Sequence, residues 1–260
     1  MVATEMKDTI SKYLSGIEQE HNVKILLAVE SGSRAWGFES KNSDWDVRFI
    51  YVHKPEWYFM VDEQRDVIET MCGEIDLVGW ELRKALGLLR RSNPSLLEWL
   101  HSPIVYYADE AFLSRIRDVV PLFFNPIASM YHYNHIYTKH DARYLQREDC
   151  SMKRFLYYLR GILACKWIEA NKTLPPVAFG ELVTATVEDL TIKEKIAELI
   201  RLKKDGEEHD MQVVDKTLMD YARNLADYFN EHIGAFRPEQ HERPSGVLDA
   251  LLFDMVRDNA

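Results

Sequence analysis

The spacing of apolar residues changes character once along this chain. In residues 5–20, Ile10, Tyr13, Leu14 and Ile17 recur at helical intervals, and VKILLAV at 23–29 is an aliphatic run of the length of a buried strand. A polar, glycine-containing stretch, Ser31 to Ser43, separates it from WDVRFIYV at 45–52, which predicts a second strand. EIDLVG at 74–79 predicts a third, adjoining the second across a connection that carries Pro55 and a short strand-like run at 66–71. A helix expected from Trp80 to Arg91 stops at Asn93-Pro94, because proline lacks the N–H that would continue it.

From about residue 108 the period is helical throughout. Helices are expected at 109–119, 125–147, 151–171, 178–188, 192–204, 211–232 and 246–257. Pro175-Pro176, KKDGEEHD at 203–210 and FRPEQHERPSG at 236–246 punctuate them, and no repeat period stands out. The fold class is therefore α+β: a small mixed β-sheet flanked by helices over residues 1–107, then an all-helical domain over 108–260.

Composition narrows the function. With 47% hydrophobic and 28% charged residues the chain reads as a folded globular protein. A net charge of -10 argues against coating nucleic acid by bulk electrostatics, while a local basic patch stays open. No apolar run approaches the ~18 residues of a membrane span, and the N-terminus MVATEMKDTISKYL lacks the order of a signal peptide, so a cytoplasmic protein without a membrane partner is expected. Cys72, Cys150 and Cys165 are widely spaced with no CxxC, which favours reduced thiols over a disulfide framework.

The chemistry gathers in SGSRAWGFESKNSDWDVR, residues 31–48. Aspartate is a poor strand former, yet Asp44 and Asp46 introduce the apolar run from Val47 to Val52. Side chains two apart on a strand share a face, and two carboxylates about 4 Å apart cost roughly 4 kcal/mol at an effective dielectric near 20 unless a cation lies between them. Asp76 interrupts Ile75, Leu77 and Val78 and reaches the same point if its strand pairs beside 45–52. Three carboxylates suit Mg²⁺ or Mn²⁺, and Gly32 and Ser33, directly after the first strand, can offer backbone N–H groups and a hydroxyl to phosphate oxygens. The alternative is a polar turn with Asp44 as its Asx residue and Asp46 solvated, which leaves Asp76 unexplained.

Gly32-Ser33, a spacer of about ten residues, Asp44-x-Asp46 and a later strand Asp76 resemble the signature of the DNA polymerase beta nucleotidyltransferase superfamily. The wider context, ESGSRAWGFESKNSDWDVRFIYV with the later KRFLYYLRGILACKW, is similar to nucleotidyltransferases associated with RNA ligases. The resemblance implies transfer of a nucleoside monophosphate from a nucleoside triphosphate to a hydroxyl, with release of pyrophosphate. It implies that Asp44 and Asp46 ligate two metal ions, that Asp76 ligates the catalytic one and helps deprotonate the acceptor, and that Gly32 and Ser33 bind the triphosphate. Arg34 could neutralise phosphate charge. The implied acceptor leans to an RNA end, with a protein hydroxyl or a small molecule open, as are base preference and oligomeric state. A non-catalytic nucleotide-binding regulator or antitoxin-like protein on the same fold is the alternative of another class.

Lys153, Tyr157 and Arg160 fall at i, i+4 and i+7 on one helical face, with Lys139 and Arg143 similarly spaced on the preceding helix. Related transferases hold the triphosphate tail with a lysine and a tyrosine or serine of a helical domain, a role the resemblance gives to Lys153 and Tyr157; the alternative packs Phe155, Leu156, Leu159, Ile162 and Leu163 while the cations meet solvent. His132, His135, His140 and Asp141 do not share one helical face, which weighs against a metal or phosphohydrolase site there and favours aromatic packing. Trp36, Trp45, Trp57 and Trp80 crowd the front half, where such residues more often fill core; Trp36, in the loop, is the best candidate among them for stacking on a base.

Overall fold

A computed structural model describes residues 2–144, 151–206, 214–236 and 244–259, the side chains of 2–4 and 139–144 lying outside that description. In chain order the front of the protein holds α1 (Val2–His21), β1 (Val23–Glu30), α2 (Gly32–Trp36), β2 (Trp45–His53), a 3-10 turn (Pro55–Phe59), β3 (Val67–Cys72) and β4 (Ile75–Glu81). Then come α3 (Leu82–Arg90), α4 (Pro94–Leu100), β5 (Val105–Ala108) and α5 (Glu110–Phe123). The remainder is α6 (Pro126–Tyr144), α7 (Met152–Asn171), α8 (Phe179–Thr186), α9 (Leu190–Asp205), α10 (Lys216–His232), a 3-10 turn (Ile233–Ala235) and α11 (Val247–Arg257). The α+β class read from the pattern is what the chain adopts.

Two compact units result. One comprises Met1–Gly32, Asp44–Phe124 and Glu242–Ala260; the other Ser33–Ser43 and Asn125–His241. This differs from a single cut at 107/108 in three ways: α5 stays with the sheet, the last helix returns to it, and the loop after Gly32 folds with the helices.

The first unit is built on a five-stranded sheet in the order β3-β4-β2-β1-β5, with β2 and β4 parallel and the other neighbours antiparallel. Ile10, Leu14 and Ile17 form the buried stripe of α1, and they lie against Ile25, Ala28, Val47, Phe49, Tyr51, Ile75 and Leu77. Tyr13, expected in that stripe, is exposed. The odd-numbered residues of β2 and β4 therefore face α1, and the even-numbered ones face the other way. Gly79 pairs with Phe49, whose ring takes the space a side chain would need: a Cβ at 79 would come within 2.1 Å of Phe49 Cε2. Trp80 and Glu81 extend β4 instead of opening the helix, because the buried Glu81 carboxylate caps α3 by accepting from the N–H groups of Arg83 and Lys84 at 2.7 and 3.2 Å. Trp80 stacks on Trp99, ring centroids 3.7 Å apart.

His53, at the end of β2, stacks on Trp57 at 4.3 Å, and burial, aided by repulsion from His21, pushes its pKa down to about 4. The imidazole is neutral in the folded protein, whereas the unfolded chain takes a proton near pH 6.5. Stability is therefore fully present above about pH 6.5 and declines as pH falls toward 4. Because His53 is half-buried, we expect about 1–2 kcal/mol of loss between pH 7 and pH 5. Urea midpoints at the two pH values measure it, and His53→Phe should flatten the difference.

The second unit packs around α7, in which Phe155, Leu156, Leu159, Ile162 and Leu163 are all buried. Gly161 admits α6 closely, since a Cβ there would sit 3.2 Å from Tyr137 Cβ. The loop Ser33–Ser43 is pinned into this unit by Phe38, whose ring meets Tyr157 and Phe179 edge-on, and by the buried Lys203, whose Nζ donates to Phe38 O at 2.7 Å. Among the described residues no helix is long and apolar enough to cross a membrane. Cys72 and Cys165 are free thiols, and Cys150 lies outside the described residues.

Candidate active site

The acidic residues singled out in the sequence sit at the start of β2 and β4. Their backbone is fixed first. Asp46 N donates to Glu30 Oε1 at 2.8 Å and Asp46 O accepts from Ser31 N at 2.8 Å, which ties the start of β2 to the end of β1. Glu30 is fully buried; its second carboxylate oxygen accepts from Tyr106 OH, and its carbonyl accepts from Ser102 Oγ at 2.6 Å. Such a buried carboxylate is tolerated because hydrogen bonds satisfy its oxygens.

Gly32 follows directly, with φ +60°, in the left-handed region that favours glycine. A Cβ at this position would come 2.2 Å from Asp46 Oδ2. The glycine in the Gly-Ser signature thus keeps room for the aspartate in the Asp-x-Asp signature.

The parallel register of β2 and β4 makes Asp46 and Asp76 direct partners. Both belong to the even-numbered face, away from α1, and so does Arg48. Its Nη2 donates to Asp46 Oδ1 and to Asp76 Oδ2, each at 2.9 Å, while Nη1 donates to Asp76 O at 3.0 Å and Val47 O at 3.1 Å. One guanidinium therefore lies between two carboxylates that would otherwise repel. The group is partly open: side-chain exposure is 16% for Arg48, 29% for Asp46 and 31% for Asp76, so solvent reaches the carboxylates.

Asp44 is exposed and stands one residue ahead of β2. Among the described residues no three His, Cys, Asp or Glu side chains gather into a ready-made metal cage. The residues nonetheless fit a hard divalent cation on two grounds: the donors are carboxylate oxygens, and a positive group is already held between Asp46 and Asp76.

Ser33 and Arg34 belong to the loop that folds with the second unit, where Ser33 is buried and Arg34 Nη2 donates to Ser43 O at 2.5 Å. Trp36 is engaged there as well: the Arg160 guanidinium lies 4.3 Å above its ring and Tyr157 meets it edge-on at 4.8 Å. Arg160 is thus buried beneath the loop instead of meeting solvent, and the Tyr157 ring meets those of Trp36 and Phe38. Lys153 is half-buried one turn earlier on α7. In the histidine group, His132 packs edge-on against Tyr133 and His135 is exposed. The side chains of Lys139, His140, Asp141 and Arg143 lie outside the described residues.

Two residues escaped the sequence reading. Arg48 could have been found, since Asp44-x-Asp46-x-Arg48 puts it on the carboxylate face by the alternation already used for the aspartates. Glu30 carried a weaker signal, an acid closing an aliphatic strand.

Over residues 6–254 the chain matches the family described as the RNA repair pathway DNA polymerase beta family. It is 41% identical over 254 residues to the uncharacterized protein YcgL of Bacillus subtilis (strain 168), covering 97% of both chains. Among solved structures, it is similar to a nucleotidyltransferase-like protein from Exiguobacterium sibiricum 255-15, at a TM-score of 0.36 and 11% identity over 97% of this chain and 90% of that one.

Proposed function

The chain belongs to the RNA repair pathway DNA polymerase beta family, a nucleotidyltransferase type of protein, and on that premise we propose that it moves a nucleoside monophosphate from a nucleoside triphosphate to a hydroxyl, with pyrophosphate as the leaving group. The observation that supports this best is the convergence of Asp46 and Asp76 on one cation across a parallel strand pair.

In this proposal Asp46 and Asp76 would hold Mg²⁺ or Mn²⁺, with Asp44, exposed one residue ahead of β2, as the third candidate ligand. When bound, such an ion supplies neutralisation of phosphate charge in the transition state. Asp76 takes the proton of the attacking hydroxyl. Gly32 allows the Asp46 carboxylate to lie close to the backbone, and Ser33 with Arg34 contacts donor phosphates. Lys153 also contacts phosphate oxygens, while Tyr157 and Arg160 support the Ser33–Ser43 loop through Trp36. Replacing Lys153 by Ala should weaken nucleotide binding about tenfold, as loss of one charge-assisted contact. An unchanged dissociation constant in calorimetry would remove Lys153 from this role. The family's link with RNA repair makes an RNA end the acceptor of choice.

The test is to incubate the protein with each labelled triphosphate, Mg²⁺ or Mn²⁺, and total cellular RNA or protein. Label entering RNA together with pyrophosphate release, and neither with Asp46→Asn, is the expected result. Triphosphate binding without pyrophosphate release across all acceptors would overturn it.

A further inference from the structure

We infer that Arg48 is the built-in counter-ion of this centre: it stands where a divalent ion would be held and opposes loading of the ion until its own bonds to the carboxylates are given up. The inference rests on the metal-dependent reading above and deepens it by naming what controls entry to the site.

The geometry separates two kinds of attachment. Nη1 is bonded to backbone carbonyls, Val47 O and Asp76 O, which belong to paired strands and do not leave. Nη2 is bonded to Asp46 Oδ1 and Asp76 Oδ2, the side-chain oxygens a cation would seek. A divalent ion approaching them meets a like charge and has to displace charge-assisted hydrogen bonds. Once Nη2 has yielded, Nη1 keeps the guanidinium beside the ion, so repulsion persists until negative charge arrives with a phosphate-bearing substrate. Arg48 also makes the metal-free protein tolerable, because without it two partly buried carboxylates would face each other across adjacent strands. Lysine could not reproduce this, since the four bonds need the planar fork.

The inference predicts a gain of function that damage to the fold would not produce. Mn²⁺ binding, followed without nucleotide by the electron paramagnetic resonance signal of the free ion, should be about tenfold tighter in Arg48→Gln than in the parent protein, with Arg48→Lys between them. In the same proteins the metal-free melting temperature should fall in Arg48→Gln, and the rise on adding Mn²⁺ should be larger than in the parent. Should Arg48→Gln fail to fold by circular dichroism, Arg48→Lys alone carries the comparison, and a gain of at least about threefold is expected of it. Parent-like or weaker Mn²⁺ binding in the folded variants overturns the role of Arg48 while leaving the metal-dependent reading intact. Absence of Mn²⁺ binding in the parent and in every folded Arg48 variant overturns both. Tight binding that survives Asp46→Asn and Asp76→Asn unchanged places the ion elsewhere and likewise defeats the inference.

Discussion

Replacing Asp46 with Asn is expected to slow nucleotidyl transfer by about a thousandfold while leaving the protein folded, the loss corresponding to about 4 kcal/mol of transition-state stabilisation. The backbone bonds that tie residue 46 to Glu30 and Ser31 do not involve the side chain, so β2 keeps its place. An amide oxygen can still accept from Arg48 Nη2, so the local network survives. What disappears is one negative charge at the point where Asp46 and Asp76 meet. Asp76→Asn should fall in the same range. Glu69→Gln is the contrast, on the edge strand β3 and paired with Arg65 at 3.0 Å where both side chains are mostly exposed; it should change neither rate nor stability appreciably. Steady-state rates with a labelled triphosphate, read beside circular dichroism spectra, make the comparison. Retention of more than about a tenth of the activity by Asp46→Asn would defeat the assignment.

Gly32→Ala is expected to cost about 2–4 kcal/mol of stability in the first unit and most of the activity that remains measurable. The left-handed backbone at residue 32 accounts for about 1 kcal/mol, because a Cβ crowds its own carbonyl there. The larger part comes from contact: the new carbon would sit 2.2 Å from Asp46 Oδ2 and 3.0 Å from Asp46 Cγ, so the aspartate has to move or the turn has to open. Asp46 cannot move without loosening its bond to Arg48. Urea unfolding gives the stability term. If Gly32→Ala also carries Asp46→Asn, the two activity losses should fall well short of additive, since both act on one carboxylate.

How much of this was legible in the sequence follows from which contacts are local. The strands β1, β2 and β4 were readable because their apolar runs are long and bounded by turns. The neighbourhood of β2 and β4 was readable because Asp76 is a polar residue with no business inside an apolar strand unless it meets something. The strand β5 was not, as four residues ahead of a helix give too short a period. The end of β4 is not legible because Glu81 caps α3 with a carboxylate, an unusual helix start, and its tie to Tyr58 OH at 2.6 Å comes from a separate segment. The allegiance of Ser33–Ser43 was out of reach for a similar reason. Lys203 holds Phe38 from 165 residues away, and nothing in either segment announces the other. The candidate site was half legible: the acids declared themselves as charges in the wrong place, whereas the arginine between them resembled an ordinary outward-facing strand residue.

The last helix brings a consequence for how the protein is made. α11 packs against α3, α5 and β2, with Arg115 paired to Asp254 at 2.9 Å. Beyond it, Lys54 Nζ donates to Asn259 O at 2.9 Å and Asn259 Nδ2 donates to His53 O at 3.1 Å. The sheet that carries the carboxylates is translated early, yet its covering layer leaves the ribosome only after the bulk of the helical unit. A nascent chain therefore carries an unfinished sheet unit until the helical unit has been made, and removal of α11 would be felt in the unit that was made first.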